Sequence, residues 1–155
     1  MRGYFAIGVY HPKTEVNVGS LYRTANLYGA AFVFTVGLRY QRRAADTMNT
    51  PQHKPLFHFE DLSDLIKHLP FSAPLIGVEL DPRARMLNDF THPERGIYLL
   101  GAEDHGLPPA VTDRCHHLVQ IPTPAPQSMN VAVAGSIVIY DRYAKMASRQ
   151  GMVRS

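Results

Sequence analysis

The sequence predicts one α/β domain with a parallel sheet and helices on both faces. Two observations support this: short β-rich apolar runs recur along the chain, and helical or loop-like stretches separate them. The chain has 155 residues, about the size of one compact domain, and a hydrophobic content of 45%. We expect a single domain over residues 1–155, with a flexible tail from about residue 147.

Five apolar runs are the predicted strands. They lie at Phe5–Tyr10, Ala31–Val36, Leu75–Leu80, Ile97–Leu100 and His117–Ile121. Alternation of strands with intervening segments is typical of βαβ units, in which the strands lie parallel.

Three further segments are predicted to be helical. The first has Asn17 as a candidate N-cap and carries Arg23 across the helix from its apolar face. The second covers Asp61–Leu69 and ends before a proline. The third, Asn130–Met146, would suit a buried strand by pattern, but its length and its small residues favour a buried helix.

The segment Arg39–Pro55 is polar, basic and interrupted by proline, which predicts a surface loop. Arg39, Arg42 and Arg43 surround a tyrosine within it. Arginine forks bind phosphate and tyrosine stacks on unpaired bases, so these are candidate RNA contacts. A solvated basic loop is the alternative.

Charge and composition limit the partners and the compartment. The net charge of +3 and pI of about 9.1 favour anionic partners, although this signal is weak by itself. We expect no membrane span, because no apolar run approaches the roughly 18–20 residues required. The start of the chain lacks a secretory signal, and the single cysteine excludes an intrachain disulfide, so we expect a soluble, cytoplasmic protein.

No metal site is expected. The histidine-rich segment Cys115–His117 is the strongest candidate, but adjacent side chains of a strand point in different directions. No second cluster offers the spacing of zinc ligands.

Three clusters of polar residues and glycines follow predicted strands or begin helices, where open α/β sheets place their ligands. They are Asn17–Arg23, Leu100–Pro108 and Ile121–Ala134. Singly, each has a structural explanation as a helix cap or a turn. The absence of Gly-x-Gly-x-x-Gly after the first strand argues against a dinucleotide site.

Taken in order, the clusters resemble the three signature motifs of the SpoU/TrmH family of SPOUT methyltransferases. These motifs are Asn-x-Gly-x-x-x-Arg, Gly-x-Glu-x-x-Gly-Leu, and an Ile-Pro stretch ending close to Ser-Leu-Asn-Val-Ser-x-Ala. The departures are Met129 for leucine and Ala132 for serine. The resemblance covers roughly residues 5 to 146 and is greatest for the short members, some of which modify the wobble nucleotide of tRNA.

The resemblance implies an S-adenosylmethionine-dependent RNA methyltransferase that acts on a ribose 2′-hydroxyl. It also implies a C-terminal trefoil knot and a homodimer in which the last helix and the first motif meet across subunits. We expect tRNA as the substrate, with ribosomal RNA as an alternative. A non-catalytic RNA-binding module, a base methyltransferase of another SPOUT branch and a small-molecule oxidoreductase are the other hypotheses.

The same resemblance implies two sets of site residues. The residues expected to line the donor pocket are Val78, Glu79, Gly101, Gly106, Ile121, Ser128 and Met129. The residues expected to serve catalysis are Asn17, Arg23, Glu103, Ser128 and Asn130. Arg23 is the residue expected to activate the hydroxyl, and orienting the phosphate and stabilising the developing alkoxide is physically easier for a guanidinium than acting as a base. Tyr140 is expected near the subunit contact, with a core aromatic as the alternative.

Overall fold

The computed structural model describes residues 3–37, 55–102, 104–125 and 127–151. These residues form a seven-stranded sheet in which all neighbouring strands are parallel. In chain order the strands are β1 (Tyr4–Tyr10), β2 (Phe32–Val36), β3 (Leu56–Phe59), β4 (Leu75–Val78), β5 (Arg85–Met86), β6 (Arg95–Gly101) and β7 (His117–Gln120). Across the sheet their order is β3-β2-β1-β6-β4-β7-β5. The predicted parallel α/β fold is confirmed.

Helices cover both faces of this sheet, as predicted. They are α1 (Glu15–Leu27), α2 (Leu62–Lys67), α3 (Pro109–Thr112) and α4 (Val131–Arg149). Buried side chains of α1 and α4 share one apolar cluster with β1 and β6, and those of α2 and α3 share a second cluster with the opposite face of the sheet. Among the described residues, no helix is long and apolar enough to cross a membrane. The cytoplasmic location stays a prediction.

Strand β1 shows how alternation separates the two clusters. Phe5, Ile7 and Val9 are buried towards α1 and α4, and Ala6 is buried on the other side. Gly8 also faces that other side, where a Cβ atom would overlap the ring of Phe34. A glycine is therefore required for the close approach of β1 and the Phe34 ring.

Two strands and one helix were not predicted. Strand β3 has four residues at one edge of the sheet, and β5 has two exposed residues at the other edge. Helix α3 has four residues. Such short elements carry too few residues for a hydrophobic period, and β5 depends on its pairing with the distant strand β7.

Helix α1 begins earlier than predicted. Its N-cap is Thr14, and Asn17 lies inside the first turn, so the prediction of Asn17 as N-cap is wrong. The Asn17 side chain instead accepts a hydrogen bond from Asn130, which begins α4. Helix α2 is confirmed, with Asp61 accepting the backbone N–H of Asp64 as its N-cap.

Helix α4 is confirmed as a helix, but only one of its faces is buried. Val133, Ile137, Tyr140 and Tyr143 form an exposed stripe, and Tyr140 is 58% exposed, so the core-aromatic alternative for Tyr140 is wrong. The helix ends at Arg149, and its Ala147 is fully buried. The expected tail therefore does not include residues 147–149.

A buried network of hydrogen bonds links the segment between β5 and β6 to the C-terminal half of α4. His92, 2% exposed, has Nδ1 2.7 Å from the hydroxyl of Tyr98 and Nε2 2.7 Å from the carboxylate of Asp141. Lys145 donates to the carbonyls of Leu87 and Phe90.

The trefoil knot that the family resemblance implies stays a prediction.

This network predicts a loss of stability at mildly acidic pH. Burial lowers the pKa of His92 below its ordinary value of 6.5, although Asp141 opposes the shift. The unfolded chain therefore binds the proton more readily, and stability present above pH 6.5 is lost as the pH falls towards the lower pKa of the folded state.

Urea unfolding of the wild type and of His92→Gln between pH 7.5 and pH 5.5 tests this expectation. We expect the wild type to lose more unfolding free energy than the variant over this interval. Equal losses would show that His92 is not the group responsible.

Candidate functional site

A narrow cleft opens at the carboxyl ends of β6, β4 and β7, three neighbouring strands of the sheet. Its volume is about 70 Å³. The described residues that line it are Val78, Glu79, Leu80, Leu100, Gly101, Ala102, Gly106, Ile121, Gln127, Ser128, Met129, Val131 and Ala134. This is the edge at which parallel α/β sheets bind their ligands.

All seven residues predicted to line a donor pocket line this one cleft. The topology brings them together, because β4 lies between β6 and β7 and all three strands end at the same edge. Their roles in binding stay predictions. Six lining residues were missed, although each lies in a predicted motif cluster or at a predicted strand end: Leu80, Leu100, Ala102, Gln127, Val131 and Ala134.

One wall of the cleft is a tight turn that follows β6. The backbone N–H of Gly106 donates to the carbonyl of Ala102 at 2.6 Å, which closes the turn. Gly106 has φ +63°, a left-handed conformation that favours glycine. A Cβ atom on Gly101 would overlap the backbone of Gly106 and lie 2.5 Å from the backbone nitrogen of Leu107. Two glycines of the second motif are therefore needed for this backbone path.

Glu79 anchors the same turn to the end of β4. Its carboxylate accepts the backbone N–H groups of Leu80 and Leu107. A Cβ atom on Gly106 would overlap this carboxylate. Glu79 thus lines the cleft, and its hydrogen bonds fix the position of this turn.

The opposite wall comes from the third motif. Met129 and Ile121 are half-buried and pack against the cluster beneath α1 and α4, whereas Ser128 and Gln127 are exposed at the mouth of the cleft. Val131 and Ala134, from the first turn of α4, form its floor. The cleft therefore has apolar walls with polar groups at its mouth, which is the composition of a small-molecule site.

The first and third motifs meet beside the cleft. Asn130 donates from Nδ2 to Oδ1 of Asn17 at 2.9 Å. The Oδ1 atom of Asn130 accepts from the backbone nitrogens of Ala132 and Val133, so Asn130 also caps α4. This amide pair joins the beginning of α4 to the first turn of α1.

Arg23 lies apart from the cleft. It is exposed on α1, and the described residues that line the cleft include none from that helix. Glu103, Arg39, Arg42 and Arg43 lie outside the described residues. The structure thus joins Asn17 to Asn130 and places Ser128 at the cleft, but it does not bring Arg23 to the cleft.

The candidate metal segment carries protein contacts instead. Nδ1 of His116 is 2.8 Å from the backbone nitrogen of Leu75, and burial raises the pKa of the Cys115 thiol to about 11. The thiol is therefore protonated at neutral pH. No three His, Cys, Asp or Glu side chains converge anywhere in the described ranges, and the absence of a metal stays a prediction.

Comparison with known protein families shows the family to which the chain belongs. The model of the SpoU rRNA Methylase family matches residues 4–140. The chain belongs to this family. The predicted resemblance is confirmed, since the match includes all three motifs.

Two relatives of this chain are named for activities on different RNAs. The mouse tRNA (guanosine(18)-2′-O)-methyltransferase TARBP1 is 28% identical over 133 residues, which are 81% of this chain and 8% of that protein. The 23S rRNA (guanosine-2′-O-)-methyltransferase RlmB of Acinetobacter baylyi is 27% identical over 133 residues, 81% of this chain and 53% of that protein. The chain thus spans about half the length of one relative and a small part of the other.

Solved structures share the fold of this chain. One, from work on the 2-OH methylation of C/U34 on tRNA, has a TM-score of 0.82 at 24% identity and covers 95% of this chain and 99% of its own. An AdoMet-bound rRNA methyltransferase from Sinorhizobium meliloti has a TM-score of 0.80 at 19% identity and covers 94% of this chain and 58% of its own.

Proposed function

We propose that this chain transfers a methyl group from S-adenosylmethionine to a ribose 2′-hydroxyl of RNA, with tRNA as the favoured substrate. The observation that carries the proposal is the joining of motifs two and three in one cleft at the carboxyl edge of the sheet. The named activities of the curated relatives, both 2′-O-methyltransferases, support it.

The cleft residues fit the methyl donor chemically. Apolar side chains of Val78, Ile121 and Met129 suit the faces of an adenine, and the glycine-containing turn exposes backbone groups that can bind its polar edge. When bound, S-adenosylmethionine supplies a methyl group on a sulfonium. Ligand pockets usually have volumes of about 300–1,000 Å³, so the walls must separate for a ligand of this size.

Arg23 is the residue that we assign to the acceptor hydroxyl. Its guanidinium can hold a backbone phosphate and stabilise the negative charge that develops on the 2′-oxygen as its proton leaves. Because Arg23 lies outside the cleft of its own subunit, we infer that it serves the cleft of a partner subunit. In this dimer, the hydrogen bond between Asn17 and Asn130 keeps the first turn of α1 beside the beginning of α4.

We infer a homodimer that buries the groove between α1 and α4. Val16, Val133, Ile137 and Tyr140 line this groove, and they are 71%, 52%, 38% and 58% exposed. An exposed apolar patch on two adjacent helices is typical of a protein–protein interface. A second copy would cover it and would bring the exposed face of its own α1, with Arg23, against this surface.

Ile137→Asp is expected to convert the dimer into a monomer, because the carboxylate would be desolvated in the interface. Light scattering at about 10 µM protein measures the change, and Ser148→Asp, an exposed position on the same helix, is the matched control. Methylation should be lost together with the dimer. A wild-type monomer at this concentration, or a dimeric Ile137→Asp variant, would contradict the inference.

Transfer of label from methyl-labelled S-adenosylmethionine to unmodified RNA tests the proposed function. We expect label in tRNA, whereas label in ribosomal RNA alone would favour the activity named for the relative RlmB. Donor binding without transfer to either RNA would favour the non-catalytic alternative.

A further inference from the structure

A second concave surface lies at the opposite edge of the sheet from the cleft, at the amino ends of β1, β4 and β6. This amino-end groove is open and has a volume of about 750 Å³. Its walls include Gly3, Tyr4, Phe71, Ser72, Glu94 and Arg95. Arg95 and Gly101 are the two ends of β6, so the groove and the cleft are about 20 Å apart.

The aromatic ring of Phe71 is exposed at the groove, on a backbone segment of unusual conformation. Phe71 and the following Ser72 both have φ +53°, a left-handed conformation that bulky residues rarely adopt. The Phe71 side chain is 67% exposed. Backbone strain is unfavourable for folding, and a ring that is mostly exposed buries little apolar surface to offset it; such strain concentrates at functional sites.

Phe71 belongs to a row of aromatic rings with an arginine at its end. The guanidinium of Arg95 lies 5.5 Å from the centre of the Phe71 ring, and Tyr4 meets that ring edge-on at 5.4 Å. The row continues from Tyr4 to Phe32, which is buried, and then to Phe57, which is 47% exposed.

We propose that the amino-end groove binds a single-stranded part of the substrate RNA, with a base stacked on Phe71 and the adjacent phosphate held by Arg95. This inference rests on the proposed function, since it concerns nucleotides away from the methylated one. Exposed aromatic rings beside arginine are the usual means of binding unpaired nucleotides.

Among its described residues, the groove offers one cation for an RNA phosphate, the guanidinium of Arg95. The chain has a net charge of +3, and the planar cation of Arg95 sits against the exposed ring. A guanidinium binds phosphate through two parallel hydrogen bonds. The carboxylate of Glu94 lines the same groove and would repel a phosphate, so the phosphate belongs on the Arg95 side.

Steady-state methylation with varied RNA concentration tests the proposal. Phe71→Asn suits the left-handed backbone and removes the ring. We expect this variant to raise the KM for RNA roughly 10-fold and to leave kcat unchanged. Arg95→Ala should raise this KM and also reduce its dependence on salt. Phe71→Leu should behave like Phe71→Asn, and Phe71→Tyr should retain the wild-type KM, because stacking needs an aromatic ring.

Glu94→Gln supplies a readout that a structural role would not move. Removal of its charge should lower the KM for RNA about 2-fold to 3-fold, because one phosphate repulsion is lost. An unchanged KM in Phe71→Asn and Arg95→Ala would overturn the proposal.

The test also works if the wild type methylates no RNA. Fluorescence anisotropy with a labelled oligouridylate then replaces the kinetic assay. Binding that weakens in Phe71→Asn but not in Phe71→Tyr would support RNA binding at the amino-end groove even though the proposed methyl transfer fails. Binding that does not depend on Phe71 would overturn the proposal that this groove binds RNA.

Discussion

Arg23→Ala is expected to slow methyl transfer roughly 10²-fold to 10³-fold while the affinity for S-adenosylmethionine stays unchanged. The loss arises because the guanidinium stabilises the charge that develops on the 2′-oxygen. Donor affinity is retained because the contacts that we propose for Arg23 are with the acceptor phosphate and 2′-oxygen, and the described lining of the cleft includes no residue of α1. Single-turnover kinetics and calorimetry measure the two quantities separately.

Two further variants test whether the loss of rate is specific to the Arg23 guanidinium. Arg23→Lys keeps the charge but loses the planar fork, so an intermediate rate is expected. Arg114→Ala removes an exposed arginine that contacts Ser63 and should leave the rate unchanged. Equal losses of rate and donor affinity in Arg23→Ala would refute the assignment of Arg23 to the acceptor side.

Gly101→Ala is expected to abolish donor binding, with a loss of affinity of at least about 100-fold. The new methyl group would overlap the backbone of Gly106, and a backbone cannot move aside as a flexible side chain can. The turn that forms the cleft wall must therefore shift, at a cost of about 1–3 kcal/mol in stability. Calorimetry of donor binding and urea unfolding check the two effects.

Gly29→Ala is the matched control for this substitution. Gly29 has φ +77°, and apart from its own atoms and those of its two chain neighbours no atom of the described residues lies within 4 Å of the place that an alanine methyl group would take. Alanine there costs backbone strain of about 1–2 kcal/mol without a clash. Its donor affinity should equal that of the wild type. Wild-type donor affinity in Gly101→Ala would mean that the turn does not shape the donor site.

The long central elements of the fold were predictable because their side chains alternate or repeat within the element itself. Strand β1 is an example, since its apolar residues on both faces are visible in the sequence. Strand β5 was not predictable, because two exposed residues become a strand only through pairing with β7.

The candidate site was predictable as a set of residues, but its internal contacts were not. The family resemblance implied that Glu79 would line the donor pocket, but only the adjacency of β4 and β6 brings its carboxylate to the backbone of Leu107. Asn17 was predicted as a cap because a local pattern cannot reveal the distant partner Asn130. The exposed face of α4 was predicted as buried because apolar residues at an interface and in a core look alike in sequence.

The chemical position of the transferred methyl group tests the central claim most directly. Labelled product RNA is hydrolysed completely with alkali, which cleaves every linkage that has a free 2′-hydroxyl. We predict that the label remains in alkali-resistant dinucleotides, because a 2′-O-methyl group protects the neighbouring phosphodiester. Label recovered only in mononucleotides would place the methyl group on a base and contradict the proposed ribose methylation.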